Sequence, residues 1–506
     1  MIMKKVYTNK KIILLLTIAY IYVPVFIFLL GYIKWYFAIP TIVIIFYFLF
    51  KMYYAYQKEN KNLYRVPITI GMILLLCLFI AIFCILLGIG GWYQQAGDWY
   101  KHNAILRDLS ERNWPVYYME KEHCMLTYYI GQYLVPSLVG KVTHSYRSAE
   151  IAMCVWGIIG IYLVFFNLLR IVQADSWKKQ LITFLIFIFF SGALILAQSV
   201  LKSIYTDAML SEGNRHWIIV NNIMLQYRSN LVMIRWVFPQ CIVPWLIVEL
   251  FLEYYKKCEY YVLLFIPSLL FGTFSFVSFL VLAIVSAINI IVKKKGKGII
   301  LKCFSLANIL PTLSLGCILF FYFLGYIKVI KPDYLSFHVQ SYGIKYIFVY
   351  FTFCFFMFGI YAICIFQEYR KNLIYYASII MLCIVPLFKM GLYNDFVMCV
   401  SIPVLFILMI YLIQFLLKDN SNAGINIKKG IIIMCLFIGA WYPFCELREN
   451  ILEKRPGNMS ADGYVSMKYF TDRNDSEILD DLKYNYYTYD LETSTFYRIF
   501  ARKKID

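Results

Sequence analysis

GDWYKHNAILRDLSERNWPVYY, residues 97–118, follows the third apolar run of the chain and crowds an Asp, a Lys and a His into five residues. From Asp98 the run DWYKHNAILRDL is rich in helix formers and sets Ile105, Leu106 and Leu109 on one face. It reads as an amphipathic helix lying on the membrane surface, with Trp99, Tyr100, Trp114 and Tyr117 suited to the headgroup layer. WPV then stops it. On such a helix Asp98 and His102 are neighbours four apart, with Lys101 beside them. Gly-Asp ahead of a helical run is also what an N-cap looks like, although a capping box wants Glu or Gln at position 101, where this chain has Lys. The two roles can coexist.

Around that stretch the chain avoids charge. Hydrophobic residues make up 62% of its 506 residues and charged residues 15%, a composition suited to a bilayer. Apolar runs of about 20 residues recur along almost the whole length, each long enough to cross the hydrocarbon as a helix. The formal charge of +19 comes from Lys and Arg clustered between those runs, which points to helix orientation and away from nucleic acid. The 14 Cys are scattered without a CxxC pair, as small buried apolar side chains are. The first run lacks a small-residue cleavage site and reads as a retained helix. No internal repeat or low-complexity tract is visible.

The pattern predicts an all-α polytopic membrane protein. Spans are expected near 11–32, 35–55, 66–90, 150–172, 180–198, 236–255, 299–324, 345–366, 372–388, 397–417 and 429–447, with two short passes in 261–292 broken near Gly272. That makes about thirteen crossings. The apolar segment 124–140 carries Gly131, Gln132 and Pro136 and is expected to be re-entrant or to lie at the surface. Seven basic clusters alternate with the spans: Lys4 to Lys11, Lys51 to Arg65, Arg170 to Lys179, Lys256–Lys257, Lys293 to Lys297, Arg370–Lys371 and Lys418 to Lys429. Assigned to the cytoplasm, they put the N-terminus inside and the C-terminus outside a cell membrane. The chain then divides into an N-terminal hairpin (1–65), a spanning core (66–448) with outer loops 91–149, 199–235, 325–344 and 389–396, and an extracytoplasmic tail (449–506). All five His, and Asp98, fall in the outer segments.

A carboxylate leaving a membrane helix beside aromatic rings and a base suits one chemistry in particular. A sugar on a lipid phosphate presents its reactive carbon just outside the bilayer. The acceptor hydroxyl must lose a proton as it attacks, and basic groups must stabilise the departing phosphate. GDWYKHNAILRDL with WPV, RWVFPQCIVPWL (235–246) and GLYNDFVMCVSIP (391–403) are similar to segments of bacterial multispanning proteins with this layout. The arrangement of residues 66–445 resembles the GT-C superfamily of integral membrane glycosyltransferases. That resemblance implies a GT-C-like fold, a polyprenyl-phosphate sugar donor and a glycan, lipid or protein acceptor in the cell envelope. On it, Asp98 is the expected catalytic base, and Lys101, His102, Arg228, Arg235 and Lys389 are the expected donor-phosphate groups. Asp395, with Asn394 and Trp99, is expected to support the acceptor. GT-C members usually place the acidic loop after the first helix. Here it follows the third, which implies an added N-terminal hairpin or a different fold, and Cys399 stands where the similar proteins commonly have Arg.

Other readings stay beside this one. GLYNDF is also ordinary turn chemistry, and loop 199–235, with Asp207, Glu212, Arg215, His216, Arg228 and Arg235, is also a plain solvated loop. No HExxH, HxH or Asp-x-Asp spacing appears, so no metal ligands are assigned, and a divalent metal stays open. Glu249 and Glu253 read as interfacial ion pairs with Lys256 and Lys257. GIGGW at 88–92 is a helix end, and no phosphate loop is present. The alternative functions are a transporter or flippase of lipid-linked glycan, or a catalytically inactive envelope-assembly protein. Transport would call for charge inside the helices, and the helix middles are nearly free of it.

Overall fold

Long apolar runs can satisfy their backbone groups in a bilayer only as helices or a closed barrel, and here they form helices. The computed structural model describes residues 5–7, 10–59, 66–95, 97–119, 123–205, 215–220, 223–294, 297–327, 335–390, 394–419, 423–452, 486–489 and 491–503. Among the described residues ten helical stretches are long and apolar enough to cross a membrane: 11–32, 35–58, 146–171, 177–204, 230–254, 273–292, 300–325, 343–369, 395–417 and 423–452. Shorter apolar helices occupy 70–86, 258–271 and 373–387. The chain is an all-α polytopic membrane protein, and each expected span coincides with one of these helices.

Eight helices position the site. They are α1 (Lys10–Tyr32), α2 (Trp99–Glu111), α3 (Gly131–Thr143), α4 (Tyr146–Ile171), α5 (Asn230–Tyr254), α6 (Thr273–Lys294), α7 (Asp395–Leu417) and α8 (Trp441–Leu452). α5 and α7 form the centre, with 94% and 89% of their spanning windows buried. α1 belongs to the same core, because Tyr20 stacks on Trp156 of α4 at 4.1 Å. The N-terminal hairpin is therefore packed into the bundle and is no separate appendage.

Small antiparallel pairings tie the loops at one end of the bundle. β1 (Tyr117–Tyr118), β2 (Cys124–Leu126) and a C-terminal strand make a three-stranded sheet. β3 (Ile218–Val220) pairs with β4 (Ile223–Leu225), and β5 (Leu335–Phe337) with β6 (Phe388–Met390). The C-terminal strand, β7 (Tyr487–Thr488), brings the tail back onto the bundle, so the described part of the tail is a structural member and not a free flap. Its approach needs Gly325, where a Cβ would come within 2.6 Å of the Thr488 side chain.

Contacts between loops fall into two groups, one at each end of the bundle. At one end Lys34 donates to the carbonyls of Arg498 and Ile499, Tyr117 to that of Arg502, and Arg215 pairs with Glu449. At the other, Lys179 pairs with Asp175 and Lys418 with Glu368.

Three local expectations need correction. α2 does not lie on a surface: Trp99, His102, Ala104, Ile105, Leu106 and Leu109 are all buried, and of the four aromatics assigned to headgroups only Tyr100 is largely exposed, at 47%. Each large apolar side chain buried there contributes about 1.5–3 kcal/mol, which favours packing α2 against α3 and α4 over floating it. Segment 124–140 becomes β2 followed by α3, whose Gly131, Tyr133, Leu134 and Ser137 are interior, so of the two expected placements the surface one is excluded. α5 starts at Asn230, not 236, and is broken at Val237 (φ −134°, ψ 33°) just ahead of Pro239.

Candidate functional site

The backbone reaches Asp98 through a turn that only glycine makes easily. Gly88 has φ +89°, and a Cβ on it would stand 2.7 Å from the Gln94 carbonyl. Gln95 then donates to the Gly88 carbonyl at 3.0 Å and accepts from Asn103 at 2.7 Å, which fixes the start of α2. Asp98 occupies the cap position but makes no side-chain cap bond; its carboxylate instead pairs with Lys101 at 2.9 Å. Burial alone would raise the Asp98 carboxyl, but Lys101 and the other nearby positive charge outweigh it and hold the group below its ordinary range. Lys101 is opposed by burial and raised overall by Asp98, Tyr486 and Asp395. It stays an ammonium.

Asp395 reaches the same place from the first turn of α7. Its side chain is exposed while Asn394, Val397 and Met398 around it are buried, so it faces an opening in the protein. Lys101, Arg228 and Asp98 all lie within electrostatic reach of it. Arg228, just after β4, donates Nε–H to Gln226 at 2.9 Å and lies 5.7 Å from the Trp217 ring centre, while its Nη1 is buried without a partner among the described residues. Asp98, Lys101, Arg228 and Asp395, from three separate parts of the chain, thus share one recess. Tyr486 of the tail joins them, acting on Lys101 and packing 5.0 Å from Tyr128.

Below lies a buried polar chain. Tyr128 donates to the Tyr129 hydroxyl, Gln240 donates to Tyr129 at 2.7 Å, and the Cys399 thiol donates to Gln240 at 3.0 Å. Burial, with Cys399, Tyr486 and Asp395 adding to it, keeps the Tyr129 hydroxyl protonated and able to donate.

Several expected site residues are committed elsewhere, for a common reason. Pro239 has no N–H for the Arg235 carbonyl, and the break at Val237 frees the Trp236 carbonyl. Trp99 donates its indole N–H to the first at 2.9 Å and His102 its Nε2–H to the second at 2.9 Å. The Nδ1 of His102 then accepts from Tyr133, so neither ring nitrogen is left for a phosphate. Pro403 leaves the Cys399 carbonyl in the same state, and Ser275 of α6 donates to it at 3.0 Å. Asn394 is also structural. It caps α7 in a left-handed conformation (φ +52°), accepting from Met390 N–H and donating to the Met224 carbonyl.

The Arg235 guanidinium points away from the recess. It pairs with Glu446 and donates to Asn450 at 3.1 Å, docking α8 on α5. Lys389 sits in β6, half-buried, with no ion pair among the described residues, and is not among the charges acting on Asp98 or Asp395. Arg215 and His216 serve α8 through Glu449 and Glu446. Asp207 and Glu212 lie outside the described residues. Glu253 pairs with Arg170 of α4, and Glu249 is buried at 1% exposure, so Glu249 is not the interfacial group expected. Among the described residues no three His, Cys, Asp or Glu side chains gather as metal ligands.

His102 supplies a pH prediction. Burial, reinforced by Lys101, pushes its imidazole down to about 4, against roughly 6.5 in an unfolded chain. Between those values the unfolded chain binds the extra proton. The stability is therefore complete above roughly pH 6.5 and is lost as pH falls towards the folded value. Taking the detergent-solubilised protein from pH 7 to pH 5 is expected to cost about 2 kcal/mol through this residue. Thermal midpoints measured at both pH values should fall less for His102→Gln than for the natural chain; equal falls would count against a buried neutral imidazole.

Compared with known proteins, the chain matches no family model, no curated protein and no solved structure.

Proposed function

We propose that the chain is a glycosyltransferase of the GT-C type, moving a sugar from a polyprenyl-phosphate donor to a cell-envelope acceptor on the outer face of the membrane. The reading places the recess outside, the N-terminus in the cytoplasm, and about thirteen crossings in between. One observation carries it: two acids and two bases from distant segments meet in a recess at the end of the bundle opposite the basic clusters, beside helices with lipid-ready apolar faces.

The roles follow from the pairing. Asp98 is spent on Lys101, which lowers its basicity, so it positions that ammonium. Asp395, which has no ion-pair partner at salt-bridge distance among the described residues, is the base. The acceptor oxygen attacks the anomeric carbon as its proton passes to the Asp395 carboxylate. The bond from that carbon to the phosphate oxygen breaks, and its electron pair leaves with the phosphate. Lys101 and the unpartnered Nη1 of Arg228 take up the charge. Tyr129 and Tyr486 offer ring faces and hydroxyls to the sugar.

A lipid-linked glycan transporter is the second reading, favoured by charge inside the helices at Arg170, Glu249 and Glu253. Bond cleavage separates the two. Purified protein given a polyprenyl-phosphate sugar and an envelope extract should release polyprenyl phosphate, and Arg228→Met should reduce release on the order of 10²-fold, with Arg228→Lys between. Movement of intact donor across vesicles without release would favour the transporter.

A further inference from the structure

Inside the bundle, away from the recess, a second polar group is built from three helices. Thr17 of α1 accepts from Asn167 of α4 at 3.0 Å, and Asn167 accepts from the Arg170 guanidinium at 3.0 Å. Arg170 spends its other terminal nitrogen on Glu253 of α5. One turn earlier on α5, Glu249 is 1% exposed; its carboxyl oxygens are buried without a close hydrogen bond among the described residues, and the Asn167 amide, which also donates to Thr17, is the neighbouring polar group that acts on them. Arg170, itself 4% exposed, keeps its Nε buried and unpartnered in the same cluster. The charges acting on Glu249 are Arg170 from α4 and Glu253 from its own helix, and only the first is favourable. That favourable charge is already committed.

A buried carboxylate with no charge of its own to pair with, only a shared amide beside it and a repelling neighbour, is costly enough that the group takes up a proton instead. We propose that Glu249 is a proton-binding site within the membrane-spanning region, holding a neutral carboxylic acid at neutral pH. Its isolation from the four residues of the recess makes it independent of the glycosyl-transfer reading. A cavity of about 500 Å³ begins at Ile171 and Val172, the two residues after Arg170, and is lined by Gln173, Gln414 and Tyr369. It lies at the end of the bundle that carries basic residues, with Lys179 and Lys418 in its lining. The same kind of group is what a proton-coupled step would use.

Infrared difference spectroscopy on the full-length protein in lipid tests this directly. At pH 7 the natural chain should show the carbonyl stretch of a protonated carboxyl. Glu249→Gln should abolish it, and Asp395→Asn should leave it in place. Thermal midpoints give the second readout. Glu249→Gln exchanges one neutral group for another and should keep the midpoint, whereas Glu253→Gln strips Arg170 of its partner and should lower it. A band that survives Glu249→Gln, or is absent from the natural chain, overturns the proposal. So does a midpoint for Glu249→Gln that falls as far as that of Glu253→Gln. A band removed at pH 7 by adding sodium or potassium would assign the place to a metal ion, which also overturns it.

Discussion

Asp395→Asn is expected to lower release of polyprenyl phosphate by about 10²–10⁴-fold, the usual contribution of a general base, with protein yield and thermal midpoint preserved. The substitution keeps the size of the side chain, and Asp395 makes no ion pair whose loss would unfold the helix start, since Asn394 does the structural work there. Asp98→Asn should act differently. It frees Lys101 from its 2.9 Å partner without removing a base, so donor KM should change more than the chemical step. Measuring kcat and KM for both variants with the same donor decides between them. Undiminished release by Asp395→Asn would remove the assigned base. A full collapse of kcat in Asp98→Asn with Asp395→Asn nearly normal would return the role to position 98.

Arg235→Leu should carry the largest stability cost of any substitution near the recess. The pair it breaks has both side chains only 9% exposed, and Glu446 would keep His216, at 3.1 Å, and the charge of Arg215, which is itself paired with Glu449. Burial holds His216 below its ordinary range, against the pull of Glu446, so it remains a neutral donor and cannot replace the lost charge. Breaking a buried pair from one side costs about 3–5 kcal/mol. Urea unfolding in micelles should show that loss, and the double variant Arg235→Leu with Glu446→Leu should recover most of it. Release of polyprenyl phosphate per folded molecule should barely move, because the guanidinium faces α8 and not the recess. An unchanged midpoint, or no recovery in the double variant, would show that the pair is not the clamp between α5 and α8.

The helices were readable along the chain because lipid leaves the backbone few choices, so length and apolarity nearly suffice. Shared ends were readable too, since alternating basic clusters place Asp98, Arg228 and Asp395 together, and the structure brings these three within electrostatic reach. The individual duties of polar residues were not. Pro239 announces an orphan carbonyl at Arg235, but nothing local says that Trp99, 136 residues away, will satisfy it. His102 looked like a phosphate ligand because imidazole is polar and near Asp98, yet a broken helix from another part of the chain claims it. Tyr486 gave no signal at all, lying in a tail whose return to β2 depends on a strand pairing and on the space left by Gly325.

Composition and periodicity were thus enough to set membrane residence, helix positions and which segments meet at each end, because each follows from the chain's own backbone and charge. Which side chains stay available for chemistry was settled only by packing. Most buried donors and acceptors find a partner, and groups left over among the described residues, such as Arg228 Nη1 beside the exposed Asp395 carboxylate in the recess and Glu249 in the membrane, emerge only when all the helices are in place.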